Sequence, residues 1–202
     1  MTNWVLWLGL VLSRSVGRGF FDLRIDGREH LVEEGPVLVV ANHESYLDPP
    51  LLETIYHDDM YVLARKSLFK GFTDWLYRRW QAIPVDQDRP DMASLKIIIR
   101  LLREGNRVLV FPEGSRTLDG SLGEAQPGIG LIAVKSGAVI QPLRILGARD
   151  ALPRGSARLR FSRITIRIGP PIRLTPEEIR EAHSKDGYKR LSERMLAAIS
   201  EL

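Results

Sequence analysis

A chain of 202 residues with 44% hydrophobic and 27% charged content has room for one domain with a real core, which excludes wholesale disorder and a multi-span membrane protein. The absence of cysteine excludes disulfides, thiolate zinc sites and a cysteine nucleophile. A formal net charge of +4, with arginine far outnumbering lysine, points toward an anionic partner: phospholipid headgroups, a phosphorylated metabolite or nucleic acid. A solvated basic surface accounts for the charge equally well.

Residues 4–12 (WVLWLGLVL) are apolar on every helical face, and Arg14 and Arg18 follow at once. This run falls well short of the ~20 residues that a helix needs to cross a bilayer. The Met-Thr-Asn start lacks the positive flank of a signal peptide. Tryptophans beside arginines suit a helix lying in the headgroup region; the alternative is a terminal helix packed on the domain's own core. The reading divides the chain into a membrane-interface helix at 1–19 and a single α/β domain at 20–202. Residues 21–26 alternate apolar and polar before Gly27, as a half-buried strand and turn would.

Residues 36–41 (PVLVVA) read as a buried strand, and Asn42-His43-Glu44-Ser45-Tyr46-Leu47-Asp48 follows directly. An imidazole can take a proton from a hydroxyl at physiological pH, and a carboxylate bonded to its other nitrogen would hold the tautomer and stabilise the imidazolium. His43 and Asp48 are candidates for that pair. Their five-residue offset does not suit one helix face, so the segment is expected to fold back in a turn. The bland alternative is that Asp48 caps the helix opened by Pro49 while His43 bonds a backbone carbonyl.

A helix over 49–56 and a strand over 60–64 come next. Arg65 and Lys66 stand at that strand's end, where they could stabilise an oxyanion if the strands are parallel. Residues 66–80 read as one helix with Phe69, Phe72, Trp75, Leu76 and Trp80 on its apolar face. Residues 82–86 form a short strand whose Pro84 argues for an edge. After the loop 87–91, Asp91 can cap a helix whose Leu95, Ile98, Ile99 and Leu102 repeat at helical spacing and which ends before Gly105.

Residues 107–111 (RVLVF) are a second apolar strand, ending in Pro112-Glu113-Gly114-Ser115-Arg116. Ligands gather outside the carboxyl ends of strands in open α/β sheets, so the two clusters are expected to share one cleft. Gly114 would let backbone amides approach a phosphate, and Arg116 could grip it through its fork of donors; a tight turn with a surface arginine is the alternative. A loop at 118–127, a helix at 128–136 and a buried strand at 139–146 follow. Residues 158–168 alternate with a parity slip near Ser162, which predicts a bulge or turn there. Arginines 158, 160, 163 and 167 are either a headgroup-facing stripe or edge-strand charges. Thr175-Pro176-Glu177-Glu178 is a capping box, and a last helix covers 186–202.

Taken together, the chain resembles the glycerolipid acyltransferase family typified by 1-acyl-sn-glycerol-3-phosphate acyltransferase. Asn42 to Asp48 is similar to its first motif, NHxxxxD, and Phe111 to Arg116 to its third, FPEG(T/S)R. The resemblance extends from about residue 20 to 172, with residues 139–143 resembling a fourth motif. At the second motif, family members usually carry arginine where this chain has Gln87 and glycine where it has Gln81; Arg89 stands two residues on.

The resemblance implies acyl transfer from an acyl thioester, on coenzyme A or acyl carrier protein, to the hydroxyl of a lysoglycerolipid. The leading acceptor is 1-acyl-sn-glycerol-3-phosphate, giving phosphatidic acid; the Gln87 departure admits another lysophospholipid or hydroxyl acceptor. His43 would be the general base and Asp48 its orienting partner, with no metal, cofactor or covalent acyl-enzyme. Asn42, Arg65, Lys66, Arg89, Glu113, Gly114, Ser115 and Arg116 would bind substrate. The implied place is the cytoplasmic face of the cell membrane, reached through the N-terminal helix and a basic face, in a peripheral or monotopic manner.

Two rivals come from other classes. Ser45, His43 and Asp48 could make a serine hydrolase, although no G-x-S-x-G elbow surrounds Ser45. A non-catalytic lipid-binding protein would keep the fold. Nucleic-acid binding is the poorest reading, since no recognised motif accompanies the charge. The fold expected is α/β, with a largely parallel, twisted sheet flanked by helices.

Overall fold

The computed structural model describes residues 4–56, 60–85, 92–117, 119–156 and 158–202. A seven-stranded sheet is formed by β1 (Arg24–Asp26), β2 (Val37–Ala41), β3 (Tyr61–Arg65), β4 (Ala82–Val85), β5 (Arg107–Val110), β6 (Val139–Leu146) and β7 (Thr165–Ile168), in the spatial order β1-β7-β6-β2-β5-β3-β4. Every pairing is parallel except β6 with β7, so the largely parallel sheet is as expected. β4, with its proline, is an edge strand, where a missing N–H costs no ladder bond.

β2 and β5 lie at the middle and are buried along their whole length. Parallel strands covered on both faces read as continuous apolar runs, which is why VLVVA and RVLV resemble neither helix nor half-buried strand. Val37, Val39 and Ala41 point to one core, shared with Phe21, Leu51, Leu52 and Ile55. Leu38 and Val40 point to the other, shared with Ile98, Leu102, Ile132, Met195 and Ile199. The α-helices of the described residues are α1 (Trp4–Phe20), α2 (Asp48–Glu53), α3 (Phe72–Arg79), α4 (Met92–Arg103), α5 (Gly128–Ser136), α6 (Ala148–Ala151), α7 (Pro176–Glu181) and α8 (Lys185–Ser200). The first core lies under α2 and α6, and α4, α5 and α8 supply the second.

α1 is longer than its apolar core suggested, running through Arg14 and Arg18 to Phe20. It packs on α2 and α3 by small residues: Gly9 meets the Trp80 indole, and Gly17 meets Leu23 and Leu51. Arg14 donates to the Tyr56 carbonyl at 2.8 Å. No helix among the described residues is long and apolar enough to cross a membrane.

Four expectations need correction. Residues 66–80 are not one helix: a 3-10 turn at Lys66–Leu68 stops short, Gly71 takes φ of +54°, and α3 starts afresh at Phe72. The alternation over 158–168, with its break predicted near Ser162, gives strand on only one side of that break: Thr165–Ile168 joins the sheet, and Leu159 and Phe161 lie outside it. The helix expected over 49–56 runs from Asp48 to Glu53. Asp48 is not its N-cap; the helix begins at Asp48, Leu47 holds the cap position, and no side chain caps it. The Asp91 cap, and the loop with Gln87 and Arg89, lie outside the described residues. The Thr175 capping box is present with both of its bonds.

Candidate active site

The first cluster leaves the carboxyl end of β2. Asn42 ends the strand with its side chain acting as one more peptide group: its Nδ2 donates to the Ile145 carbonyl at 2.8 Å and its Oδ1 accepts from Ile145 N–H at 2.7 Å. Both ends of this buried amide are therefore committed to β6, so Asn42 braces the turn and is not part of the cavity lining described below. The chain then folds back as the His43–Asp48 offset required. Asp48 is fully buried, and its Oδ2 accepts from Glu44 N–H at 2.6 Å and Ser45 N–H at 2.8 Å while lying 2.7 Å from His43 Nδ1. Backbone amides pin the carboxylate, which in turn fixes the ring. With Nδ1 carrying the proton, Nε2 is left as the acceptor.

The second cluster grips the first. Glu113 Oε1 accepts from His43 N–H at 3.0 Å, its Oε2 accepts from Gly123 N–H at 2.8 Å, and Thr117 N–H donates to the His43 carbonyl at 2.8 Å. Both oxygens of Glu113 thus hold backbone in place. The Phe111 ring stacks on the His43 imidazole with centroids 3.9 Å apart and an 11° tilt. β5 is hydrogen-bonded to β2 along Val37–Val40, and that adjacency is what brings residues 111–117 against residues 42–48. Gly114 takes φ of +70°, the left-handed turn that glycine adopts without strain.

Beside the imidazole opens a cavity of about 680 Å³. His43, Tyr46, Gly114, Ser115, Arg116, Arg65 and Arg154 line it with polar groups, and Glu53 is the one carboxylate of the lining among the described residues. Val62, Leu63, Ala64, Leu68, Tyr77 and Trp80 furnish an apolar wall from β3 and α3 and the turns beside them. The Arg116 guanidinium lies 3.6 Å over the Tyr46 ring, and its Nη1 is buried with no hydrogen-bond partner among the described residues. An unpaired buried donor beside a cavity suits an anionic ligand group.

Of the sequence-predicted residues, the fold brings His43, Asp48, Glu113, Gly114, Ser115, Arg116 and Arg65 together. Lys66 is exposed in the turn after β3 and is not part of the cavity lining, although Arg65 before it and Leu68 of the same 3-10 turn are. Arg89 lies outside the described residues. Ser45 is fully buried and its hydroxyl donates to the Leu152 carbonyl at 3.0 Å, so it turns away from the imidazole and the hydrolase reading loses its nucleophile.

Sequence reasoning missed three members. Phe111 and Tyr46 sit inside the two motifs, where an aromatic beside a histidine and an arginine was the available signal. Arg154 opens a basic stretch over 154–160, a signal that did not by itself point to this site. Gln81 holds φ of +55°, the conformation that favours glycine, which gives a physical reason for glycine at this position in the second motif.

The sequence profile of the Acyltransferase family matches residues 22–146, which includes both clusters. The chain is 28% identical over 172 residues to the chloroplastic 1-acyl-sn-glycerol-3-phosphate acyltransferase LPAT1 of Arabidopsis thaliana, covering 82% of this chain and 48% of that protein. It is 32% identical over 155 residues to a 1-acyl-sn-glycerol-3-phosphate acyltransferase of Chlamydomonas reinhardtii, covering 73% of this chain and 46% of that protein. The chain thus spans about half the length of these relatives. In fold it is similar to the crystal structure of the 1-acyl-sn-glycerophosphate (LPA) acyltransferase PlsC from Thermotoga maritima, with a TM-score of 0.79, 24% identity, and coverage of 97% of this chain and 78% of that one. The profile match spans more than half of the chain and takes in the strand ends that build the cavity: the chain belongs to the Acyltransferase family.

Proposed function

We propose that the protein transfers a fatty acyl group from an acyl thioester, on coenzyme A or acyl carrier protein, to the free hydroxyl of a lysoglycerolipid. The leading acceptor is 1-acyl-sn-glycerol-3-phosphate, giving phosphatidic acid. The observation that carries this reading is the 2.7 Å His43–Asp48 contact beside a cavity lined by both arginines and apolar side chains. The names of the relatives support the same acceptor.

In the proposed reaction, His43 Nε2 takes the proton of the acceptor hydroxyl as its oxygen attacks the thioester carbonyl carbon. Asp48 holds the ring and stabilises the imidazolium. Collapse of the tetrahedral intermediate breaks the C–S bond, and the leaving thiolate takes the proton back from His43, leaving an ester and a free thiol. The thioester is already activated, so the scheme calls for no cofactor, metal or acyl-enzyme. Arg116 would meet the acceptor's phosphate, with Gly114 and Ser115 beside it, while Glu113 and Asn42 act as positioning residues.

The proposed setting is a membrane surface, on its cytoplasmic face. Trp7, Leu8, Val11, Leu12, Val16 and Phe20 repeat at helical spacing along the outer side of α1 and are exposed. Phe72 and Trp75 on one flank and Leu159 and Phe161 on the other are also exposed. Phe161 meets Phe20 edge-on at 6.4 Å, joining its segment to the helix.

Purified protein in detergent or liposomes is expected to convert labelled acyl-CoA or acyl carrier protein and lysophosphatidic acid into phosphatidic acid. His43→Ala should lower the rate by about 10²–10⁴, the usual contribution of one general base. Product only from other acceptors would keep the mechanism and change the substrate. Lipid binding without product from either donor would replace the enzyme reading with a lipid-binding one.

A further inference from the structure

We propose that Arg154, which lies outside the motifs and follows α6, is the second guanidinium of the acceptor's phosphate site and sets the preference for an anionic over an uncharged lyso-acceptor. The inference rests on the acyl-transfer reading and deepens it. Arg154 lines the same cavity as His43, Ser115 and Arg116. Its Nη1 donates to the Arg116 carbonyl at 3.3 Å, so the two arginines are neighbours in that lining. Among the described residues this is the one hydrogen bond of its side chain, which leaves most of the donor fork for a ligand. Arg116 contributes a buried Nη1 without a partner among the described residues, its guanidinium lying over the Tyr46 ring. Among the described residues, the charged lining comprises the guanidinium groups of Arg65, Arg116 and Arg154 and the carboxylate of Glu53. Such a site favours a phosphate over a neutral headgroup.

The position of Arg154 is built in, although its side chain is exposed. The segment between His43 and Asp48 reaches across to the 148–152 stretch in two places: Glu44 Oε2 accepts from Arg149 N–H at 3.3 Å, and Ser45 Oγ donates to the Leu152 carbonyl at 3.0 Å. Gly155, at φ of +83°, then turns the chain directly after Arg154. The base and Arg154 are therefore referenced to one another through backbone. This lets a phosphate bound at Arg154 fix where the acceptor hydroxyl falls relative to His43.

The test compares wild type, Arg154→Gln and Arg154→Lys, with lysophosphatidic acid and uncharged 1-acylglycerol as acceptors in mixed micelles and acyl-CoA varied separately. We expect Arg154→Gln to lower kcat/KM for lysophosphatidic acid by about 10- to 100-fold, mostly through KM, as for one charge-assisted hydrogen-bond pair. Turnover of 1-acylglycerol and the KM for acyl-CoA should not move. Arg154→Lys should recover part of the loss, since it restores charge without the fork. An equal fall for both acceptors would assign Arg154 a purely structural role and overturn the proposal. So would an unchanged preference, or a rise confined to the KM for acyl-CoA, which would make the phosphate read the donor's. If wild type transfers to neither acceptor, the acyl-transfer reading fails, and direct binding of the two lipids in micelles decides on Arg154: selective loss of lysophosphatidic acid binding in Arg154→Gln keeps the anion site, and equal binding removes it.

Discussion

Glu44 stands beside the base without touching the cavity. Burial, above all, pushes its carboxyl up to about 7 from 4.5; the Arg149 amide opposes this, while the nearby Asp48 and Asp150 charges add to it. The unfolded chain releases this proton near the ordinary value, whereas the folded protein keeps it until about pH 7. Between those values the folded state binds more protons, so this group makes stability fall as pH rises through the window and level off above it. Glu44→Gln should therefore flatten the difference in unfolding free energy between pH 5 and pH 8, measured by urea denaturation. The reason this pressure is tolerated is visible at Asn42, whose Nδ2 lies 3.4 Å from Glu44 Oε1: Glu44 ties the turn after β2 to α6.

At the scale of elements, α5 and α8 show how one small residue decides a packing distance. A Cβ on Gly130 would lie 2.1 Å from the Tyr188 carbonyl oxygen, a contact that backbone cannot yield to. The same closeness lets Ser192 of α8 accept from Gly130 N–H at 2.9 Å, satisfying a first-turn amide of α5 that Pro127 at its cap position does not. Gly130→Ala should force the two helices apart and lower stability by about 1–3 kcal/mol or more. Thermal or urea unfolding reads this directly. α5 was legible in its full span from residue 128 to 136, yet nothing local indicated that Ser192, sixty-two positions on, would complete its first turn.

For the whole molecule, the open question posed by α1 is what covers its outer side. Trp7 is 60% exposed, Leu12 55%, Phe72 71% and Phe161 73%, values that water alone does not favour for such side chains. Cosedimentation with anionic vesicles should show binding, and Leu12→Glu should weaken it by about tenfold or more, from the ~2 kcal/mol of one buried Leu side chain. Unchanged partitioning would mean that this face is covered by something other than lipid.

The sequence by itself determined the strands of the sheet's centre, the α/β class and the two clusters that leave β2 and β5. These are local matters: β-branched runs, a helical repeat, and polar residues stacked directly after an apolar strand. It also made His43 and Asp48 candidates for a pair that only a turn could join, while the proline after Asp48 spoke for the alternative, a helix cap. Only the tertiary structure decided which side chains line the cavity. Asn42 and Glu113, polar and inside the motifs, turn out to spend their hydrogen bonds on backbone. Asp48 gave up its expected cap to hold the imidazole, because Glu44 and Ser45 amides aim at its carboxylate. Arg154 entered the site through a turn more than a hundred residues away from His43. Such assignments depend on which strands become neighbours and on where buried donors find acceptors, and neither is written in any local window of the chain.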